Sequence, residues 1–284
     1  MPDTDDEVNA RHSGNGSERT SMNQLILGDC LKEMRNIPNE SVDMILADLP
    51  YGTLNKQNKS SYWDRMLPLQ DVWKEYKRIC KPNSAIVLFA QGMFTADLMY
   101  SNKPWWRYNL VWDKGRPSGF LNANRMPLRS HEDICVFYKH LPIYHPQKVK
   151  CLDGEQIHAN RKRTTVTNQC YGKFIPSITV PMDEKYPKSV IQFKKEHKIG
   201  QFYHPTMKPV QLLEWLIKTY TDPGMVVLDN TCGSGSTGVA ATMTGRDFIG
   251  IEVNKEYYDI AKRRIMDAEA IYRANESKDP ELEE

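Results

Sequence analysis

A strand, a glycine-rich turn, a helix and a second strand follow one another between residues 225 and 252. Residues 225–229 form an apolar run that ends in a carboxylate, and residues 248–252 form another run of the same kind. The turn at residues 230–238 contains three glycines, which permit a tight bend and let the backbone approach a ligand closely. A unit of this type predicts a parallel sheet with helices packed on it.

The same alternation extends over most of the 284 residues. Short apolar runs predict five further strands, at residues 24–29, 41–47, 84–90, 109–113 and 133–138. Apolar residues spaced three to four apart predict helices at residues 30–36, 69–80, 91–100, 209–222 and 257–272. We therefore expect an α/β fold with a doubly wound, mostly parallel, Rossmann-like sheet.

The strand at residues 41–47 ends at the tetrapeptide Asp48-Leu49-Pro50-Tyr51. In open α/β sheets, ligands bind beyond the carboxyl ends of the strands, so the tetrapeptide lies where chemistry is expected. A carboxylate and a main-chain carbonyl can accept the hydrogens of an amine, and an aromatic ring can stack on the flat group that carries it. The alternative is a structural role, in which the aspartate caps a turn and the proline and tyrosine are packing residues.

The glycine-rich turn lacks two phosphate-binding patterns. It contains neither the GxGxxG fingerprint of dinucleotide-binding folds nor the lysine of a P-loop. Glu252 ends the next strand about twenty residues downstream, where a carboxylate in such folds holds ribose hydroxyls. These features predict a nucleoside-bearing cofactor that is bound without a phosphate cradle, with a purely structural turn as the alternative.

Positive charge is concentrated in one internal block. Residues 139–200 contain twelve Lys or Arg against five Asp or Glu, whereas the whole chain has a net charge of +2. Most of the acidic excess lies in residues 1–21 and 267–284. A basic block of this kind is expected of a surface that binds a polyanion, and a solvated charged surface is the alternative.

The cysteine spacing and the hydropathy of the chain indicate the cellular compartment and the absence of some kinds of site. Six scattered cysteines without a CxxC pair predict reduced thiols and no metal site. No apolar run approaches the ~20 residues of a membrane-spanning helix, and the N-terminus has no signal-peptide pattern. We therefore expect a cytoplasmic protein.

Four motifs together resemble the beta class of amino-methylating DNA methyltransferases. Asp48-Leu49-Pro50-Tyr51 is similar to the family's catalytic Asp-Pro-Pro-Tyr, and residues 229–237 resemble its S-adenosylmethionine loop. Residues 204–209 (His-Pro-Thr-Met-Lys-Pro) resemble the segment that closes over the methionine part of this cofactor, and residues 27–30 resemble the Gly-Asp segment that reaches its adenine. The order of catalytic motif, basic insert and cofactor loop is that of the beta class, and the resemblance covers about residues 22–265.

The resemblance implies a division of the chain and two sets of site residues. The divisions are a disordered tail (1–21), a catalytic half (22–138), a basic target-recognition insert (139–200), a cofactor-binding half (201–273) and an acidic tail (274–284). The catalytic set is Asp48, Leu49, Pro50 and Tyr51. The S-adenosyl-L-methionine-binding set is Asp29, Cys30, His204, Thr206, Lys208, Asp229, Asn230, Thr231, Cys232, Gly233, Gly235, Ser236, Thr237, Glu252 and Val253.

The implied reaction moves a methyl group from S-adenosylmethionine to the exocyclic N6 amine of an adenine flipped out of duplex DNA, with Tyr51 as the stacking platform. Asp48 favours adenine, because family members with serine at that position usually modify cytosine. Leu49 departs from the family's proline, although the family uses the backbone carbonyl there, which any residue supplies. The alternatives are N4-methylation of cytosine, an RNA or protein substrate, and a catalytically decayed DNA-binding subunit.

Two groups of basic residues are expected to contact DNA phosphates, namely Lys114, Arg116 and Arg125 in the loop 114–130, and Arg161, Lys162 and Arg163 in the insert. A homodimer and a cognate restriction endonuclease are further partners that fit the family, as does a prokaryotic or phage origin. The target sequence stays open, because base contacts depend on how the insert folds.

Overall fold

The computed structural model describes residues 23–52, 65–151, 166–168, 170, 172–174, 184–194 and 207–277. Within these ranges the strands are β1 (Asn23–Leu27), β2 (Val42–Ala47), β3 (Cys80–Ala90), β4 (Trp106–Ser118), β5 (Arg129–Phe137), β6 (Val149–Lys150), β7 (Val166–Asn168), β8 (Gly172–Phe174), β9 (Glu184–Lys185), β10 (Val190–Gln192), β11 (Val226–Asp229) and β12 (Asp247–Glu252). The helices are α1 (Cys30–Glu33), α2 (Leu69–Ile79), α3 (Met93–Ser101), α4 (Val210–Tyr220), α5 (Ser236–Met243) and α6 (Lys255–Glu276).

Eight strands form one sheet in the order β1-β12-β11-β2-β3-β5-β4-β10. Neighbouring strands are parallel, except that β5 runs antiparallel to both β3 and β4. The predicted mostly parallel α/β fold is therefore confirmed. Because β1, β12, β11 and β2 are parallel neighbours, their carboxyl ends meet at one edge of the sheet.

Helices cover both faces of this sheet. Ile45 of β2 belongs to a core cluster with Tyr76 of α2, whereas the preceding residue, Met44, belongs to a second cluster with Leu216 of α4. Successive strand side chains point to opposite faces, so a strand buried on both sides needs a continuous apolar run. The sequence of β2 meets this requirement, since its residues are almost all fully buried.

The three glycines of the turn serve different purposes. A Cβ atom on Gly235 would lie 2.8 Å from the Cβ of Ala261, and one on Gly238 would lie 2.5 Å from the Cδ1 of Ile265. These two glycines therefore let α5 pack closely on α6. Gly233, with a φ of +52°, has no atom within 4 Å of an added Cβ and faces open space, as expected of a residue beside a ligand.

The boundaries of the predicted insert differ from the structure. Val190–Gln192 forms β10, which pairs with β4 at the edge of the main sheet, so these residues of the block 139–200 belong to the central fold. The predicted tail at residues 1–21 lies outside the described residues, and α6 continues through Glu276, past the predicted boundary at residue 274. Among the described helices, none combines the length and apolar character needed to cross a membrane.

Candidate active site

A cavity of about 350 Å³ opens where β1, β2, β11 and β12 end. All four residues of the predicted catalytic set line it. From the predicted cofactor set, the lining residues are Asp29, Cys30, Lys208, Asp229, Asn230, Thr231, Cys232, Gly233, Ser236, Thr237, Glu252 and Val253. Gly235 faces α6 instead, and His204 and Thr206 lie outside the described residues.

Asp48 lies at the carboxyl end of β2 with both carboxylate oxygens engaged. Its Oδ1 atom accepts a hydrogen bond of 2.5 Å from the Tyr51 hydroxyl, and its Oδ2 atom accepts one from the Lys208 ammonium group. The backbone carbonyl of Asp48 accepts a hydrogen bond of 3.1 Å from the Thr231 hydroxyl, which ties the catalytic strand to the glycine-rich turn. An amine can reach this carboxylate at a remaining lone pair or by taking the place of the Tyr51 hydroxyl.

Leu49 and Tyr51, which follow Asp48 in the tetrapeptide, have different surroundings. Leu49 is 2% exposed and its side chain belongs to the core cluster that α2 and α3 build on β2 and β3. The Tyr51 ring lies on Phe94, with ring centroids 4.9 Å apart. Burial, with the neighbouring Asp48 carboxylate, raises the pKa of Tyr51 well above its usual value, so the hydroxyl remains a donor.

A line of alternating charges runs from Asp48 into the protein. The Nζ atom of Lys208 lies 3.4 Å from Oε2 of Glu132, and the other oxygen of Glu132 lies 3.4 Å from Nζ of Lys114. All three of these inner residues are buried. Burial alone would lower the pKa of Lys208, but the carboxylates of Asp48 and Glu132 outweigh it and raise that pKa above the usual value.

Glu252 organises the cofactor side of the cavity. Its Oε2 atom accepts a hydrogen bond of 2.8 Å from the backbone N–H of Gly233, and its Oε1 atom accepts one of 2.8 Å from the N–H of Asn254. Burial raises the pKa of Glu252. A carboxylate oxygen has two lone pairs, so each oxygen can also accept a hydrogen bond from a ligand hydroxyl.

Asn230 is a buried residue of the cavity wall. Its Oδ1 atom accepts a hydrogen bond of 2.5 Å from the Tyr76 hydroxyl. Its side-chain amide also interacts with the Cys30 thiol and opposes the effect of burial, which raises the pKa of that thiol to about 11. Asn230 therefore ties α1 and α2 to the start of the glycine-rich turn.

Asp229 ends β11 beneath the glycine-rich turn. Its carboxylate accepts hydrogen bonds from the Thr237 hydroxyl at 2.6 Å and from the Thr231 N–H at 3.1 Å. Burial outweighs these bonds and raises the pKa of Asp229 to about 7. The group holds the turn against α5 and carries a proton over part of the physiological pH range.

Residues 42–263 match the family model described as DNA methylase, the family of N6- and N4-methyltransferases. The chain belongs to this family. The DNA adenine methyltransferase YhdJ of Escherichia coli (strain K12) is 30% identical over 261 residues, which span 89% of this chain and 85% of YhdJ. The predicted family and enzyme class are thereby confirmed.

Solved structures of similar fold include a complex with S-adenosylmethionine and a cytosine-N4-specific DNA methyltransferase. The M1.HpyAVI–S-adenosylmethionine complex has a TM-score of 0.58 at 24% identity and aligns with 86% of this chain and 99% of its own. The cytosine-N4-specific PvuII DNA methyltransferase has a TM-score of 0.63 at 17% identity and aligns with 89% of this chain and 92% of its own. At these identities the likeness establishes the fold alone.

In this DNA methylase, α6 also supports the glycine-rich turn. The Nη1 atom of Arg264 donates to the backbone carbonyl of Ser234 at 2.6 Å and lies 3.1 Å from the hydroxyl oxygens of Ser234 and Ser236. Both serines are almost fully buried. Arg264 therefore fixes the turn from α6, a role that its position in an amphipathic helix does not indicate.

The predicted DNA contacts of the methylase fall into three groups. Arg116 and Arg125 are exposed, as a phosphate contact requires. The structure corrects the predicted phosphate contact of Lys114, because this residue is 3% exposed and paired with Glu132, and so does not face solvent. The predicted contacts Arg161, Lys162 and Arg163 lie outside the described residues. Arg129, from the same loop, lines the cavity beside Gln91.

Proposed function

We propose that this DNA methylase transfers a methyl group from S-adenosyl-L-methionine to the N6 amine of an adenine in duplex DNA. One observation carries the proposal: a single cavity joins the tetrapeptide of Asp48 to the glycine-rich turn and Glu252. An amine-binding carboxylate and a nucleoside-binding wall therefore share one space, as direct transfer between two bound molecules requires.

The substrate side holds the amine. Asp48 accepts one amine hydrogen in the position that the Tyr51 hydroxyl occupies, and the backbone carbonyl of Leu49 or Pro50 accepts the other. These two acceptors favour a pyramidal nitrogen whose lone pair is available for attack. Lys208 fixes the orientation of the Asp48 carboxylate and balances its charge, so the acceptor is in place before the base arrives.

The cofactor side holds the methyl donor. Bound S-adenosylmethionine supplies a methyl group on a positively charged sulfur, which makes that methyl electrophilic. Glu252 accepts hydrogen bonds from ribose hydroxyls beside the glycine-rich turn. The hydrogen bond from Thr231 to the backbone carbonyl of Asp48 links this wall to the substrate side and fixes the position of one binding site relative to the other.

The choice of adenine rests on Asp48 and on the name of YhdJ, a DNA adenine methyltransferase. The family also contains cytosine-N4 enzymes, so that activity is the second candidate. The purified protein is incubated with labelled S-adenosylmethionine and unmethylated genomic duplex DNA, and the nucleosides are separated by mass spectrometry. We expect N6-methyladenine; label in N4-methylcytosine alone would overturn the choice of base, and label in RNA or protein but not in DNA would overturn the substrate.

The catalytic assignment has its own test. Asp48→Ala should lower kcat by about 10²-fold or more, the usual scale for loss of a preorganised electrostatic partner, while binding of S-adenosylmethionine persists. Asp97→Ala removes an exposed aspartate from α3 and should leave the rate unchanged. Methyl transfer by Asp48→Ala at the wild-type rate would contradict the proposed role.

The proposal also covers the target-recognition block, the partners and the origin of the protein. The charge of residues 139–200 supports a target-recognition role for this block. A homodimer is tested by light scattering, and a cognate restriction endonuclease by digestion of unmethylated DNA with lysate of the host. The relative YhdJ comes from a bacterium, which supports a bacterial cytoplasmic enzyme.

A further inference from the structure

The hairpin that joins β4 to β5 exposes large apolar side chains beside the cavity. We define the hairpin tip as residues 115–131. Within it, Leu121 is 101% exposed, Phe120 is 68% exposed and Met126 is 55% exposed. Apolar side chains in such a cluster are usually covered by something, because their contact with water is unfavourable.

The tip is folded, and it holds these side chains outward. Gly119 takes a φ of +95°, and its carbonyl accepts a hydrogen bond of 2.9 Å from the N–H of Asn122. The carbonyl of Asn122 in turn accepts bonds from the N–H groups of Arg125 and Met126 at 2.8 and 3.0 Å. A tip that is already ordered loses little conformational entropy when its apolar side chains become buried.

The charged side chains within the tip are of one sign, although Asp113 at its base accepts a hydrogen bond from the N–H of Gly115. Residues 115–131 contain Arg116, Arg125 and Arg129, all exposed, and no Asp or Glu. Lys194, also exposed, approaches the base of the hairpin, where its Cγ atom lies 3.7 Å from the Cβ position of Gly115. A cationic rim around an apolar centre fits a polyanion whose interior is apolar, and stacked nucleic-acid bases inside their phosphates have this character.

The tip is continuous with the mouth of the cavity. Ser118 pairs with Arg129 across the hairpin, and the Nε atom of Arg129 lies 3.8 Å from the Cβ position of Gly119. The guanidinium of Arg129 donates to Oε1 of Gln91 at 3.3 Å, and both residues line the cavity. Phe120 follows Gly119 directly, and consecutive Cα atoms are about 3.8 Å apart, so the apolar side chains stand next to the entrance.

We propose that Phe120 and Leu121 enter the DNA base stack as a wedge and fill the place of the adenine that turns into the cavity. The inference rests on the proposed function, since it requires a target base to leave the duplex. Proteins that separate stacked bases insert Phe, Leu, Ile or Met side chains, and they hold the backbone with basic residues. Here Arg116 and Arg125 contact the flanking phosphates, and Arg129 stands between the wedge and the cavity.

The test separates opening of the duplex from chemistry. The target motif is first mapped by sequencing modified bases in DNA from cells that express the protein. The kcat/KM is then measured on a fully paired duplex and on a duplex with an abasic site opposite the target adenine, whose base is already unpaired. The proteins are wild type, the double variant Phe120→Ala/Leu121→Ala, and Met266→Ala, which removes a comparably exposed apolar side chain from α6.

We expect the double variant to lose about 10-fold or more in kcat/KM on the paired duplex and less than about 3-fold on the abasic duplex, because the cost of unpairing has been removed from the second. With 2-aminopurine at the target position, its fluorescence on binding should fall well below that of wild type. Met266→Ala should match wild type in both assays. Thermal unfolding of each variant with and without S-adenosylmethionine reports whether the fold and cofactor site persist.

Three sets of results would contradict the proposal, and each has a different meaning. Equal losses on both duplexes, or no loss on the paired one, would overturn the wedge and leave the proposed function in place. Equal losses together with a change in solution mass by light scattering would identify the tip as a contact between two copies of the chain. Absence of methyl transfer by wild type to either duplex would overturn the proposed function and the wedge with it.

Discussion

Lys208 donates a hydrogen bond to the carboxylate of Asp48, although 160 positions separate the two residues in the chain. Glu132, a third residue distant from both, lies 3.4 Å from the same ammonium group. The contact joins the catalytic and cofactor-binding parts of the sequence at one charged group. The acceptor for the substrate amine is therefore positioned by a residue from the segment just before α4, far along the chain from β2.

Lys208→Met should lower kcat by about 10²-fold, because the Asp48 carboxylate loses the donor that orients it. The free energy of unfolding should fall by about 3 kcal/mol, since Asp48 loses its counter-charge and Glu132 keeps only the Lys114 ammonium group. Adding Glu132→Gln should restore neither the stability nor the rate, because it leaves the buried Lys114 ammonium group without its carboxylate. Chemical denaturation and single-turnover kinetics measure the two effects, and a wild-type rate for Lys208→Met would remove the lysine from the site.

Leu49→Pro should not raise the rate, although the catalytic motif that this segment resembles has proline there. The substituted residue keeps its carbonyl, so we expect kcat within about 3-fold of wild type. Stability should fall by about 1–3 kcal/mol, because the packing lost in the core exceeds the ~1 kcal/mol that proline can contribute through the unfolded chain. Urea denaturation measures the loss; a more stable and faster variant would mean that the side chain of Leu49 contributes little to packing.

Arg264→Met should raise the Kd for S-adenosylmethionine by about 10-fold, because a charged hydrogen-bond donor to the turn is worth roughly 1.5–3 kcal/mol. Titration calorimetry measures the affinity. Arg263→Met is the matched control, since Arg263 is the exposed neighbour on the same helix and should leave the Kd unchanged. Equal affinities for the two variants would show that the turn keeps its shape without Arg264.

Asp229 should make stability fall as the pH rises. Its pKa is about 7 in the folded protein against 3.8 ordinarily, so the folded state binds the proton more tightly. Its stabilising contribution is present below about pH 4 and is lost as the pH rises through 7, by on the order of 4 kcal/mol. Asp229→Asn should therefore gain stability relative to wild type between pH 5 and about pH 8, measured by urea denaturation. Parallel stability curves for Asp229→Asn and wild type would contradict the assignment.

The sheet and the cavity were predictable because both depend on local patterns. Apolar runs such as residues 41–47 and 225–229 indicated buried strands, and the residues that directly follow them line the cavity. The strand at residues 133–138 was predicted, but its antiparallel direction was not, because an apolar run carries no information on direction. Residues 190–192 of β10 lie in a basic, proline-containing block, which hid their pairing with β4.

The sequence patterns did not predict the contacts between charged residues that lie far apart in the chain. Lys114 lies in a basic loop and was expected to contact phosphates, yet the β4–β5 pairing turns it inward to Glu132. Glu132 stands directly before the predicted strand at residues 133–138, and a carboxylate at that position is the one signal that could have indicated a buried partner. Arg264 alternates with other charged residues of α6, so nothing in its spacing distinguished it from a solvated arginine.

The order of strands constrains how the chain can be made. β1 and β2 are separated by only fourteen residues in sequence, numbers 28–41, yet β12 and β11 lie between them in the sheet. On the ribosome, β1 and β2 emerge long before β11 and β12, which must insert between them. In the final sheet β1 and β2 lie three strand spacings apart, about 14 Å. Their pairing edges stay open until residue 252 has been synthesised, so the nascent chain needs protection from aggregation until the last strand is inserted.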